Sequence, residues 1–276
     1  MDFLDKIEII SKFYKDSNIN IDINEIVNSG ILDIKIPIIE NGKNDYFCFG
    51  KNHYLQNFKS ITVYNNGLLT DSIIWVHEIS HDRNQPDTKR TQENNLLTES
   101  LAFTEELIYI DYLKTLGFEY EANGFQYLLF ENFHHNLSEA YKLLKIYVLY
   151  KKTCKVSEEN YKFLYKNSYE YDYFIREFNK MIKNNQNAIF VSVWYLLASM
   201  LSIYMYISYK NNKEFIEKIK LLNDTLNELS FEKCLNMIDL NIYDGNYFNE
   251  ENIHKITFAF EQYKDELRTF LKIEGR

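Results

Sequence analysis

Only two prolines, Pro37 and Pro86, and eight glycines interrupt 276 residues. Proline removes a backbone donor and clashes with the preceding turn, and glycine weakens a helix through backbone entropy. A chain so poor in both is expected to be rich in helix, with enough length for a sizeable core. One stretch departs from that rhythm. Leu32-Asp33-Ile34-Lys35-Ile36-Pro37-Ile38 alternates apolar and polar residues, Asn41-Gly42 marks a turn, and Tyr46–Phe49 and Ser60–Tyr64 read as further strands. The expected fold class is mainly α with a small β-sheet, an α+β arrangement in which the sheet directly precedes a strongly patterned helix.

That helix carries Trp75-Val76-His77-Glu78-Ile79-Ser80-His81. His77 and His81 are four apart, so on a helix they lie one above the other and can grip one metal ion. Glu78 is rotated from both histidines but adjacent to them, which suits a general base that holds a water rather than the metal. Thr70-Asp71-Ser72 offers an N-cap, and Ile73-Ile74-Trp75-Val76 with Ile79 makes the helix one to be buried. The plain alternative is a histidine pair in ordinary core or surface positions, but burying two histidines without a partner is costly.

The polar segment Asp82–Asn95, with Pro86, reads as a loop, and a second helix runs from Leu96 to Leu116 with Gly117 as its cap. On it Glu99, Ala102, Phe103 and Glu106 fall at i, i+3, i+4 and i+7, a single face. If that face meets the histidine helix, Glu99 becomes the third metal ligand, and Glu106 or Glu105 holds a ligand histidine in its tautomer. Otherwise these are solvated acids near a helix start, where carboxylates are favoured in any case. The whole is expected to form a single compact domain over 1–276. It divides into N-terminal helices over 1–30, the sheet over 31–70, the metal-binding helix pair over 71–116 and a helical part over 117–276.

Net charge and segments narrow the functions. A formal charge of −9 and a pI near 5.3 offer no basic face to phosphates, which excludes the usual nucleic-acid binder. Cys48, Cys154 and Cys234 are odd in number and lack C-x-x-C spacing, as reduced thiols of a cytoplasmic protein would. The charged start Met1-Asp2-Phe3-Leu4-Asp5-Lys6 is unlike a signal peptide. Ala188–Ile207 has the length of a membrane span, but its serines and tyrosines point to a buried core helix and no membrane partner.

His77-Glu78-Ile79-Ser80-His81, then Thr98-Glu99-Ser100-Leu101-Ala102-Phe103-Thr104-Glu105-Glu106-Leu107 and Asp111-Tyr112-Leu113, resemble the catalytic core of the oligoendopeptidase F and thimet oligopeptidase family of zinc peptidases. The likeness extends weakly from Tyr46 through Ile74, and through Phe231–Met237 to Phe258–Leu267. It implies a zincin-like core, zinc on His77, His81 and Glu99, Glu78 as base, and short peptides as substrate. Residue type alone does not separate zinc from cobalt or manganese. Ala102 stands where the family has serine, Ser80 stands where it usually has glycine, and the loop from His81 to Glu99 is shorter than usual. The family's large N-terminal helical region is expected to be missing, and a protein partner could replace it.

The departure that bears on chemistry is the family's late histidine and tyrosine pair, which stabilise the oxyanion. Around Asn187–Tyr195 there is neither, and no histidine occurs between His135 and His254. Losing one such donor slows turnover by about a hundredfold to a thousandfold without removing metal or base. Tyr195 or the tyrosines of Tyr169–Tyr173 could supply a phenol, although packing is the commoner fate in a chain with 23 tyrosines. His53, His134, His135 and His254 read as surface or capping residues.

The expected activity is zinc-dependent hydrolysis of short peptides. The alternatives are a catalytically weak or inactive zinc-containing peptide-binding protein, and a peptidase dedicated to one peptide or leader sequence. A bound peptide is expected to lie as an added strand along an edge near Ile61–Tyr64.

Overall fold

The computed structural model describes residues 1–36, 51–55, 58–83, 92–153, 191–243, 245–247 and 249–273. Among them the chain is mainly helical with a small sheet. Helices α1 (Phe3–Asp16) and α2 (Ile23–Asn28) come first, followed by strands β1 (Leu32–Lys35), β2 (Lys51–Leu55) and β3 (Phe58–Tyr64). Helices α3 (Asp71–Arg83), α4 (Gln92–Thr115) and α5 (Glu119–Thr153) follow. The last four are α6 (Val191–Asn211), α7 (Phe215–Thr225), α8 (Phe231–Met237) and α9 (Glu250–Ile273). The expected strand Tyr46–Phe49, the Asn41-Gly42 turn, Cys48, Cys154 and Tyr169–Tyr173 lie outside the described residues. No helix among the described residues is long and apolar enough to cross a membrane.

The chain divides into two compact units, Met1–Leu129 with Ala198–Arg276, and Phe130–Leu197. In the second, the described helical segments carry aromatic pairs: Phe130 stacks near Phe133 at 6.4 Å, and Trp194 meets Tyr195 edge-on at 5.0 Å. The first unit holds the sheet and the histidine helix.

In the sheet the order is β1-β3-β2, with β1 parallel and β2 antiparallel to β3. Ile61 and Val63 of β3 are fully buried, and so are Ile73, Trp75 and Val76 of α3. Alternation along a strand puts 61 and 63 on one face. The Trp75 indole N–H donates to the Tyr64 carbonyl at 3.0 Å, which fixes α3 against the end of β3. β2 was not evident in the sequence because Lys-Asn-His-Tyr-Leu has no clean alternation, and pairing with β3 makes it a strand.

Two boundaries differ from expectation. α4 begins at Gln92, four residues before Leu96, and its exposed Glu93 and Asn95 extend a helix whose next turns are packed. The segment Thr70–Ser72 does not act as a simple N-cap. α3 begins at Asp71, whose carboxylate instead accepts from the backbone N–H groups of Asn66 at 2.9 Å and Leu68 at 3.0 Å, closing the turn before the helix. The other end of α4 is as expected. Gly117, at φ +90°, takes the left-handed conformation that lets the Phe118 N–H reach back to the Leu113 carbonyl.

α4 is buried along most of its length from Leu96 to Ile110. Its small polar residues are satisfied within the helix: Ser100 Oγ donates to the Leu96 carbonyl at 2.7 Å and Thr104 Oγ1 to the Ser100 carbonyl at 2.6 Å. Glu99, Glu105 and Glu106 instead find their partners on α3.

Candidate metal centre

α3 and α4 pack so that 81 lies by 99, 77 by 103 and 106, and 72 by 109. The i, i+4 pair on α3 therefore meets the i, i+4, i+7 face of α4. His77 Nε2 and His81 Nε2 are 3.1 Å apart. Glu99 reaches both, with Oε2 at 3.6 Å from His77 Nε2 and Oε1 at 3.4 Å from His81 Nε2. One donor atom from each of the three residues lies within 4.8 Å of the others. The three side chains are 14, 12 and 17% exposed, so the group is recessed but reachable.

Glu106 completes the arrangement from behind. Its carboxylate is 2% exposed and its Oε2 lies 3.3 Å from His77 Nδ1. A carboxylate there keeps the ring proton on Nδ1 and turns a bare Nε2 toward His81 and Glu99. Phe103 packs edge-on against the same ring at 4.9 Å and limits its rotation. Of the two acids weighed for this position, Glu106 takes it. Glu105 turns to the other flank of α4 and pairs with Arg83.

The electrostatics follow from two carboxylates beside one imidazole. Burial acts to lower the His77 pKa, but Glu106 and Glu99 outweigh it and raise it well above the ordinary histidine value. Burial likewise opposes ionisation of Glu99, and the hydrogen bonds from His77 and His81 overcome it, holding the carboxyl far below the usual range. Ring nitrogens and carboxylate oxygens converging at 3.1 to 3.6 Å suit a bound proton or a cation between them. A tetrahedral ion with bonds of about 2.0–2.1 Å separates its ligand atoms by about 3.3–3.4 Å. The donor types and spacings here fit such an ion.

Glu78 is 8% exposed. Desolvation raises its pKa, against the lowering pull of His77 and His81. It senses all four neighbours, His77, His81, Glu99 and Glu106, as a group beside the cluster rather than a member of it.

The remaining sequence candidates lie elsewhere. His134, His135 and His254 are exposed, and none joins the cluster. Tyr195 is half-buried against Trp194. The expected peptide edge at Ile61–Tyr64 is corrected over its first half: β3 is the central strand, with Ile61 and Thr62 paired to Leu32 and Asp33 on one side and to Asn52 and Lys51 on the other, whereas Val63 and Tyr64 are paired in the described sheet to Ile34 and Lys35 of β1. With both sides bonded, Ile61 and Thr62 leave no backbone groups for an added strand. Sequence reading also missed Lys6, which is fully buried on Asp71 at 2.6 Å, and the Arg83–Glu105 pair. Both join residues far apart in the chain, and the only local hint was a lysine on the apolar face of α1.

No family model, curated protein or solved structure matches this chain.

Proposed function

We propose that this protein is a zinc-dependent peptidase acting on short peptides, with a zincin-like core similar to that of the oligoendopeptidase F and thimet oligopeptidase family. The observation that carries the reading is the convergence of His77, His81 and Glu99 with Glu78 held beside them. Two imidazoles and one carboxylate are a catalytic zinc donor set, which leaves a coordination position open. A zinc ion bound there supplies Lewis-acid polarisation of the scissile carbonyl and a more acidic water.

The protein's own residues do the rest. Glu106 orients His77 through Nδ1, and Phe103 blocks the alternative ring rotation. Glu78, its carboxyl raised in pKa by burial, takes a proton from the attacking water and passes it to the leaving amine as the C–N bond breaks. Water is thereby added across the peptide bond, and Glu78 ends as it began.

A second reading has its own support. With no histidine between His135 and His254, the chain lacks the family's late oxyanion donor, which favours a weak catalyst, a peptide-binding protein, or a peptidase dedicated to one peptide or leader sequence. A cytoplasmic setting is part of the proposal, supported by the free, buried Cys234 thiol. So is a peptide rather than nucleic-acid partner, supported by the acidic charge.

The test is mass spectrometry of a mixed pool of short peptides after incubation with zinc-loaded protein, beside Glu78→Gln. Cleavage by the wild type that disappears in the variant is expected. An intact pool despite bound zinc would replace the general peptidase with the binding or dedicated-substrate reading.

A further inference from the structure

Helix α1 touches both helices that carry the candidate metal ligands. Near its start Lys6 is fully buried, and its Nζ donates to Asp71 Oδ2 and Asn65 Oδ1, each at 2.6 Å. The ammonium also lies 5.2 Å from the centre of the Trp75 ring. Because the Asp71 carboxylate closes the Asn66–Leu68 turn as well, a single ion pair joins α1, the turn leaving β3 and the first residue of α3.

The far end of α1 holds α4. Phe13 packs edge-on against Tyr109 at 5.0 Å, and the Tyr112 hydroxyl donates to Asp16 at 3.1 Å. The circuit closes where the Tyr109 hydroxyl donates to Ser72 Oγ at 3.1 Å. At a third point, the fully buried Tyr14 senses the charges of both Glu105 and Arg83, the pair that ties α4 to the end of α3.

The metal-binding geometry depends on this spacing, since two ligands sit on α3 and the third on α4. We infer that Lys6 is a positioning residue for the metal centre: its ammonium, locked between Asp71 and Asn65, fixes the angle at which α3 leaves the sheet and so the distance of His77 and His81 from Glu99. The inference rests on the metal-centre reading above. Six residues separate Asp71 from His77, about 9 Å along a helix. A tilt of about 3° at Asp71 thus moves His77 by about 0.5 Å, and metal–ligand distances tolerate only about 0.2 Å. An apolar pair would fill the same junction without desolvating a charge, whereas an ammonium between two fixed acceptors permits one arrangement.

The experiment compares zinc affinity, by competition with a chromophoric chelator, in wild type, Lys6→Met and Asp71→Asn. It is run at a temperature where circular dichroism shows each protein folded. Leu235→Ala, in α8, serves as a variant that lowers the melting temperature from a site away from α1. Lys6→Met is expected to weaken zinc binding about tenfold, the scale of an outer support to a metal ligand, and to shift the visible spectrum of the cobalt-loaded protein. Leu235→Ala is expected to change neither. If Lys6→Met does not fold, Asp71→Asn carries the same expectation. Unchanged zinc affinity in the folded variants, or an equal loss in Leu235→Ala, would overturn the positioning role alone. A wild-type protein that binds no zinc would overturn the metal-centre reading and this inference with it.

Discussion

At the start of α3, Asp71 meets the Lys6 ammonium at 2.6 Å and the two charges cancel, whereas midway along the same helix Glu99 and Glu106 both approach His77. The first arrangement is complete: one buried carboxylate, one buried ammonium and two backbone N–H groups on Asp71 Oδ2, and the Asn66 side-chain amide on Oδ1. The second gathers more acceptors than donors, with Glu78 beside it. A balanced buried pair is what packing needs, and a surplus of recessed acceptors at metal-ligand spacing is what a cation site needs. Charge balance therefore separates brace from site on one helix better than burial does.

Four changes act on one side of that contrast or the other, with effects that decrease in turn. Glu78→Gln is expected to lower turnover by about a hundredfold to ten-thousandfold, the contribution of a general base. Zinc content should stay at the wild-type level, and parallel peptide assays and metal analysis check both. Glu106→Gln leaves the three direct donors in place but weakens the hold on His77 Nδ1, so zinc affinity should fall by about tenfold to a hundredfold in chelator competition. An unchanged affinity would show that Phe103 alone orients the ring.

Trp75→Phe acts on the brace side. It removes the indole bond to the Tyr64 carbonyl and should cost about 1–2 kcal/mol in chemical denaturation. The smallest effect concerns pH, and it arises from tyrosines of α6 and α9. Burial raises the pKa of Tyr206 and Tyr263 well above the usual phenol value and that of Tyr204 to about 12. The unfolded chain therefore loses these protons first. Stability from these phenols is complete below about pH 10 and is lost as pH climbs through 10 toward the folded values. Thermal melts between pH 8 and pH 11 should show that decline, and Tyr206→Phe should flatten it.

The sequence made the site more legible than its supports. His77, His81, Glu99 and Glu106 are found from helical spacing alone, because both helices obey local periodicity and their two faces meet. The strand at Leu32–Lys35 and the cap at Gly117 are local signals of the same kind. What was not legible depends on distant pairing. Nothing near Lys6 announces that Asp71, 65 residues away, will receive it, and an aspartate at a helix start reads as a cap before it reads as half of an ion pair. The central place of β3 has the same origin: a strand's own residues do not reveal how many neighbours it will have, so Ile61 and Thr62 passed for an edge.

Whether His77, His81 and Glu99 hold a metal is decided by the zinc stoichiometry of the purified wild-type chain after reconstitution and dialysis, measured by elemental analysis beside His81→Ala. One zinc per chain in the wild type, and loss of it in the folded His81→Ala protein, is the result that the converging donors predict. Wild-type protein that retains no zinc, or His81→Ala that retains as much, would contradict it.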